Sequence, residues 1–235
     1  MVSTVWVLTL AGTIAEAAWL SHVNLLYVLL GFLVGLMTGL TSIGIGSITT
    51  PVLILLLRVS PIVAVGSAIT FGFVTKGIGS LQHLRQDTVD RSVIRSLLWG
   101  SLPAAALGCG VIYFLRSGNV ARANVWIERV IGFTLLLLAI GVLAKDSPWM
   151  ERFRAGAPHG ARKPLRVGVI GAVVGFMFAA TSIGSATLMV LLLSLFAPLG
   201  EAHVVGTAIV YGFLISAFTS ILHISVGNVD WSLVA

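Results

Sequence analysis

TSIGIGSITTP (Thr41–Pro51) and TSIGSATLM (Thr181–Met189) place glycines and hydroxyls where an apolar helix should continue. They sit inside a longer pairing. Residues 31–94 and 171–234 align without a gap at a constant offset of 140 residues, and roughly a third of the positions match. Gly66, Ala68, Ile69, Gly72 and Phe73 recur as Gly206, Ala208, Ile209, Gly212 and Phe213. His83, Val89 and Asp90 recur as His223, Val229 and Asp230. A duplicated passage in a membrane-type chain is the usual mark of a secondary transporter with its site where the repeats meet.

The composition supplies the membrane. Hydrophobic residues make up 57% of the chain and charged residues 9%, against about 25% charged in a soluble domain. Apolar stretches able to cross a ~30 Å hydrocarbon core recur along the chain. In lipid each backbone polar group must be satisfied within its own helix, so the expected fold is all-α and polytopic. Lys145, Arg152, Arg154, Arg162, Lys163 and Arg166 cluster in one Pro-containing segment. This is a basic linker between repeats, placed in the cytoplasm by the positive-inside rule. Basic residues interleaved with exposed aromatics are missing, which argues against a nucleic-acid partner. Cys109 is the only cysteine, so no Cys-rich metal site is expected, and no cofactor is called for.

The chain divides into residues 1–23, an extra apolar helix centred on 4–20; a first repeat, 24–145; the linker, 146–166; and a second repeat, 167–235. Glu16 and the lack of a positive start argue against a cleaved signal peptide. The first repeat parses into segments at about 24–42, 47–57, 62–83, 93–115 and 128–144, the second at about 168–182, 187–197 and 202–223. The short segments, each after a glycine-rich break, predict broken or re-entrant helices. The sequence ends where the counterpart of 93–115 would begin. Absent helices and truncation both fit, with the second repeat incomplete either way. A crossing short segment makes the repeats inverted and a dipping one makes them parallel; inversion is favoured because it generates alternating access.

Gly31, Gly35 and Gly39, answered by Gly171, Gly175 and Ala179, predict close helix packing. The breaks differ in kind. Glycine frees backbone N–H groups, and a half-helix starting there aims its positive dipole end at the break. Thr41, Ser42, Gly44, Gly46 and Ser47, with Thr181, Ser182, Gly184 and Ser185, are candidates to hold an oxyanion. The competing reading is a kink whose hydroxyls bond back to their own helix carbonyls.

Lys76 is a candidate for the same site, since an ionisable group at membrane depth is costly. Snorkelling of its stem to the cytoplasmic edge competes with that reading, and Ser216 holds the matching position. His83 and His223 are candidates for gating or proton coupling, or simply hydrogen-bonded interfacial residues. Asp90 and Asp230 are expected N-caps. No H-E-x-x-H, G-x-S-x-G, P-loop or Cys-x-x-Cys occurs, so no enzyme is expected.

One family resembles this pattern residue by residue. Gly31/Gly35, Gly44-Ile45-Gly46-Ser47, Pro51-Val52-Leu53, Ala64-Val65-Gly66-Ser67, His83-Leu84-Arg85 and Val89-Asp90 look like the TauE/SafE exporters of sulfite and organosulfonates. The second copy ends as His223 with Gly227-Asn228-Val229-Asp230-Trp231. Ser47, Ser185-Ala186 and Asp87 stand where that pattern has glycine. The resemblance implies a multi-spanning inner-membrane exporter of small sulfur-containing anions, driven by an ion gradient such as H+. A membrane-embedded assembly subunit, whose glycines serve only packing, is the alternative.

Overall fold

The computed structural model describes residues 28–29, 31–36, 44–144, 147, 164–196 and 199–234. The expected helix at 4–20, the linker up to residue 163 apart from residue 147, Thr41 and Ser42 lie outside them. The elements are α1 (Ile45–Leu55), α2 (Pro61–Arg85), α3 (Arg91–Gly118), α4 (Val120–Ala144), α5 (Pro164–Thr181), α6 (Thr187–Phe196) and α7 (Glu201–Ser225). A single 3-10 turn, Trp231–Leu233, comes after α7, and no strand occurs among the described residues.

Helices α2, α3, α4 and α7 are long and apolar enough to cross a membrane. Large apolar side chains face outward, with Ile78 82%, Trp99 80% and Leu143 83% exposed. Water would penalise that surface and hydrocarbon does not. By contrast α1 and α6 have 11 and 10 residues. At about 1.5 Å per residue, each reaches only halfway across the hydrocarbon core. Helix α4 starts well before the expected 128, because Ala123 and Ile127 are fully buried and continue its inner face past Arg122. Hydropathy marks the span of a helix rather than its start.

The bounds of α2 and α7 coincide under the 140-residue shift. Both helices close on a left-handed residue, Asp87 at φ 52° and Gly227 at φ 71°. The next amide then reaches back to a histidine carbonyl: Thr88 N–H to His83 at 3.3 Å and Asn228 N–H to His223 at 2.9 Å. This turn explains why glycine is expected at 87, and aspartate is among the few residues that tolerate the conformation. Asp90 and Asp230 then cap the helical turns beginning at Arg91 and Trp231, accepting from the backbone N–H of Ser92 and Ser232.

The two turns are exchanged between the two parts of the chain. The Asp90 amide donates to Thr207 Oγ1 and the Asp230 amide donates to Ser67 Oγ, both at 2.9 Å. A Cβ on Gly66 would overlap the Asn228 carbonyl, and one on Gly206 the Thr88 carbonyl. Each long helix therefore starts against the turn that ends the other.

Contacts along α2 and α7 fix their relative direction. Thr70 meets Ser220, Phe73 stacks on Phe213, Lys76 meets Ser216 and Ser80 meets Ile209. From Thr70–Ser220 at one end to Ser80–Ile209 at the other the numbers rise on α2 and fall on α7, so the two run antiparallel. Helices α3 and α5 make the most extensive helix contact, and they run parallel. Gly171 lies against the Leu97 carbonyl, Gly175 against Ser101 and Ala179 against Gly108. The second small-residue stripe thus serves packing, as expected. No described atom lies within 4 Å of a Cβ built at Gly31 or Gly35.

Candidate functional site

The half-helices meet at their N-terminal ends. The Gly44 amide donates to Thr187 Oγ1 at 2.8 Å. A side chain at Gly46 would overlap the carbonyl of Ser182. Thr50, one turn into α1, shares a hydrogen bond with the buried Ser182 hydroxyl. The backbone breaks sharply at this point, with Ser182 at φ 63° and Gly184 at φ 116°. Glycine takes the second conformation without strain, whereas serine adopts the first at some cost. Ser182 is held there by its own amide, which donates to the Phe178 carbonyl at 2.7 Å, and by Thr50.

The remaining hydroxyls divide. Thr181 bonds back to the Met177 carbonyl at 2.6 Å, and its oxygen accepts from Ile183 N–H at 3.2 Å. For this residue the kink reading holds. Ser47 is half-buried, and its amide donates to the Gly44 carbonyl at 2.9 Å. Ser185 does something else: it accepts from Lys76.

Lys76 Nζ donates to Ser185 Oγ at 2.7 Å and to Ser216 Oγ at 3.2 Å, and stands 5.4 Å from the centre of the Phe178 ring. The ammonium therefore turns inward to the α5–α6 break. Both hydrogen-bond partners are neutral hydroxyls, so among the described residues its charge is solvated and no acid pairs with it. Phe178 adds about 0.5–2 kcal/mol of cation–π attraction. Glycine on both helices leaves room beside the cation: Cβ atoms at Gly72 and Gly212 would stand 3.7 and 3.6 Å from Nζ. A Cβ at Gly212 would also press on the Ser185 carbonyl.

The histidines lie apart from this cluster. His83 Nδ1 pairs with Thr88 Oγ1 at 2.9 Å, at the end of α2. Buried His223 donates from Nε2 to the Ala179 carbonyl at 3.1 Å, which leaves Nδ1 to accept from Asn228 Nδ2 at 3.5 Å. Asn228 Oδ1 in turn accepts from Arg116. His223 thus braces the end of α5 just before the break; the position matching Ala179, residue 39, lies outside the described residues. Sequence reading singled out neither Phe178, Thr50, Thr187 nor Arg116, and met Asn228 only as part of the Gly227–Trp231 ending. The offset did hold a signal for Ser216, because Lys76 and Ser216 are matched positions.

Half-length helices meeting head to head beside a hydroxyl-held cation, inside a bundle of membrane-length helices, are the architecture of a membrane transporter. Residues 27–235 match the family model of the sulfite exporter TauE/SafE. The chain belongs to this family and is a membrane transporter of it. Two Bacillus subtilis (strain 168) proteins are similar. Probable membrane transporter protein YjnA is 31% identical over 211 residues, covering 88% of this chain and 82% of its own. Probable membrane transporter protein YunE is 28% identical over 226 residues, covering 87% and 79%. No solved structure matches significantly.

Proposed function

We propose that this transporter exports a small sulfur-containing anion, sulfite or an organosulfonate, across the inner (plasma) membrane, and that Lys76 and the paired breaks hold it. The observation that carries this reading is the Lys76 ammonium, turned into the break and hydrogen-bonded, among the described residues, to the Ser185 and Ser216 hydroxyls alone. A monoanion arriving there would neutralise a charge already desolvated, and the α6 N-terminus would add its dipole. Ser185 would contribute its hydroxyl, and Gly46 and Gly184 their backbone amides, while Gly44 and Ser182, bonded to Thr187 and Thr50, would hold the two breaks together; Thr41, Ser42 and Ser47 complete the proposed set.

The antiparallel α2 and α7, with matched bounds, suit an inverted pair of repeats. Alternating access then arises from rocking one half against the other around the shared site. His223, braced on the end of α5, suits a gating role, and an H+ gradient suits the coupling. A pure packing subunit accounts for Gly171 and Gly175 but gives Lys76 no reason to turn inward.

Counterflow of labelled sulfite, sulfoacetate, taurine and sulfate in proteoliposomes, with and without a pH gradient, tests the proposal. Exchange of sulfite or an organosulfonate that falls about ten- to a hundredfold in Lys76→Met is the expected result. Properly inserted protein that exchanges none of the four would overturn it.

A further inference from the structure

A second feature lies apart from the ammonium, where other faces of α2 and α7 meet α3. A groove of about 660 Å³ opens where α2, α3 and α7 meet, walled by Leu81, Leu84, Ile94, Leu98, Val210 and Phe213. Among the described residues that line it, the only uncharged polar side chain is Ser80, whose hydroxyl is already turned to the Ile209 carbonyl at 3.5 Å. Gly77 opens the floor, since a Cβ there would touch Phe213 at 3.6 Å. Such walls offer an ion in transit nothing, but they suit a hydrocarbon chain.

The mouth has the opposite character. Arg91 and Arg95 line it from the first turns of α3, four residues apart and therefore on one face. Both are exposed, and no hydrogen bond or ion pair joins either guanidinium to another described residue. They also stand at a helix N-terminus, where the dipole opposes cations and attracts anions. Arg85 lies across the short turn, and α5, parallel to α3, brings Arg166 to the same end of the molecule. Apolar walls below a pair of guanidiniums match one ligand chemistry: a phosphate on a hydrocarbon tail.

We propose that this groove is a binding site for an anionic phospholipid, with its acyl chain against Leu98 and Phe213 and its headgroup phosphate on Arg91 and Arg95. The site is separate from Lys76, which does not line it. A bound lipid would join α2, α3 and α7 at the cytoplasmic end and make the transporter sensitive to the charge of its membrane.

The test is native mass spectrometry of the full chain released from nanodiscs containing equal phosphatidylglycerol and phosphatidylcholine. Preferential retention of phosphatidylglycerol is expected. The double variant Arg91→Gln/Arg95→Gln should lower that preference at least tenfold, and Arg91→Lys/Arg95→Lys should keep part of it. Gly77→Leu, which fills the groove and spares the arginines, should lower retention of the lipid itself. Equal retention of both lipids, or a preference unchanged in the glutamine variant, overturns the proposal. So does a dimer that Gly77→Leu dissociates, because the groove would then be an interface between copies.

Discussion

Lys76 and Ser216 hold the same place under the 140-residue shift, and they touch: Nζ stands 3.2 Å from Oγ. Phe73 and Phe213 are matched in the same way and stack with ring centres 5.2 Å apart. A residue can meet its own counterpart only on the axis that relates them. The ammonium thus lies near the crossing of the two long helices.

Lys76→Met keeps the stem and removes the charge. A hydrogen bond to a charged group is worth roughly 1.5–3 kcal/mol, so anion flux should fall about ten- to a hundredfold. Lys76→Arg should retain part of it. Flux in proteoliposomes, normalised to inserted protein, measures this; wild-type flux in Lys76→Met would remove the cation from the site.

Ser182 ties the second break to α1 through Thr50. Ser182→Ala should cut flux about tenfold or more and lower stability by roughly 1–3 kcal/mol, because Thr50 loses its buried partner. In a double-mutant cycle with Thr50→Val the losses should be non-additive by about 1 kcal/mol. Additive losses would show that the pair does not act as a unit.

Gly66 and Gly206 each face a backbone carbonyl of the turn at the other end of the chain. Gly66→Ala and Gly206→Ala should destabilise by similar amounts, roughly 1–3 kcal/mol each. Gly110, with nothing within 4 Å of a built Cβ, is the control; Gly110→Ala should leave the protein as stable as before or slightly more so. Melting in detergent compares the three, and equal behaviour at all three sites contradicts the exchanged-turn arrangement.

Antiparallel α2 and α7 predict a labelling pattern. In a Cys109→Ser background, Gln86→Cys and Gly200→Cys should react from one face of the membrane, the cytoplasmic one. Val59→Cys and Ser225→Cys should react from the other. Labelling of residues 86 and 200 from opposite faces would refute the antiparallel pair.

His223 links Ala179, Asn228 and Arg116. His223→Phe should slow transport more than His83→Phe, because His223 is buried and braces the end of α5 whereas His83 is half-buried and pairs with Thr88 in its own turn. Arg116→Gln should give a milder loss in the same direction. Equal effects of the two histidine variants on flux would mean that the brace has no part in transport.

Much of this was legible in the residues. The mean hydropathy and the length of the apolar runs dictated membrane helices, because hydrocarbon leaves a backbone few ways to satisfy itself. Glycines and hydroxyls interrupting those runs gave the half-helices, and the offset gave matched bounds for α2 and α7. The aspartate caps came from local chemistry alone.

Tertiary structure decided which polar groups act together. Thr181 and Ser185 read alike in sequence, yet one bonds back to its own helix and the other takes the ammonium. The difference is set by which way α2 passes the break. Whether Lys76 turns inward or snorkels depends on what lies beside it: Gly72 and Gly212 leaving space, Ser216 arriving from an antiparallel helix, and Phe178 from a third. Local sequence fixes where a helix breaks, because that depends on the bonds of a few neighbouring residues. The surroundings of a charge depend on chain segments more than a hundred residues away.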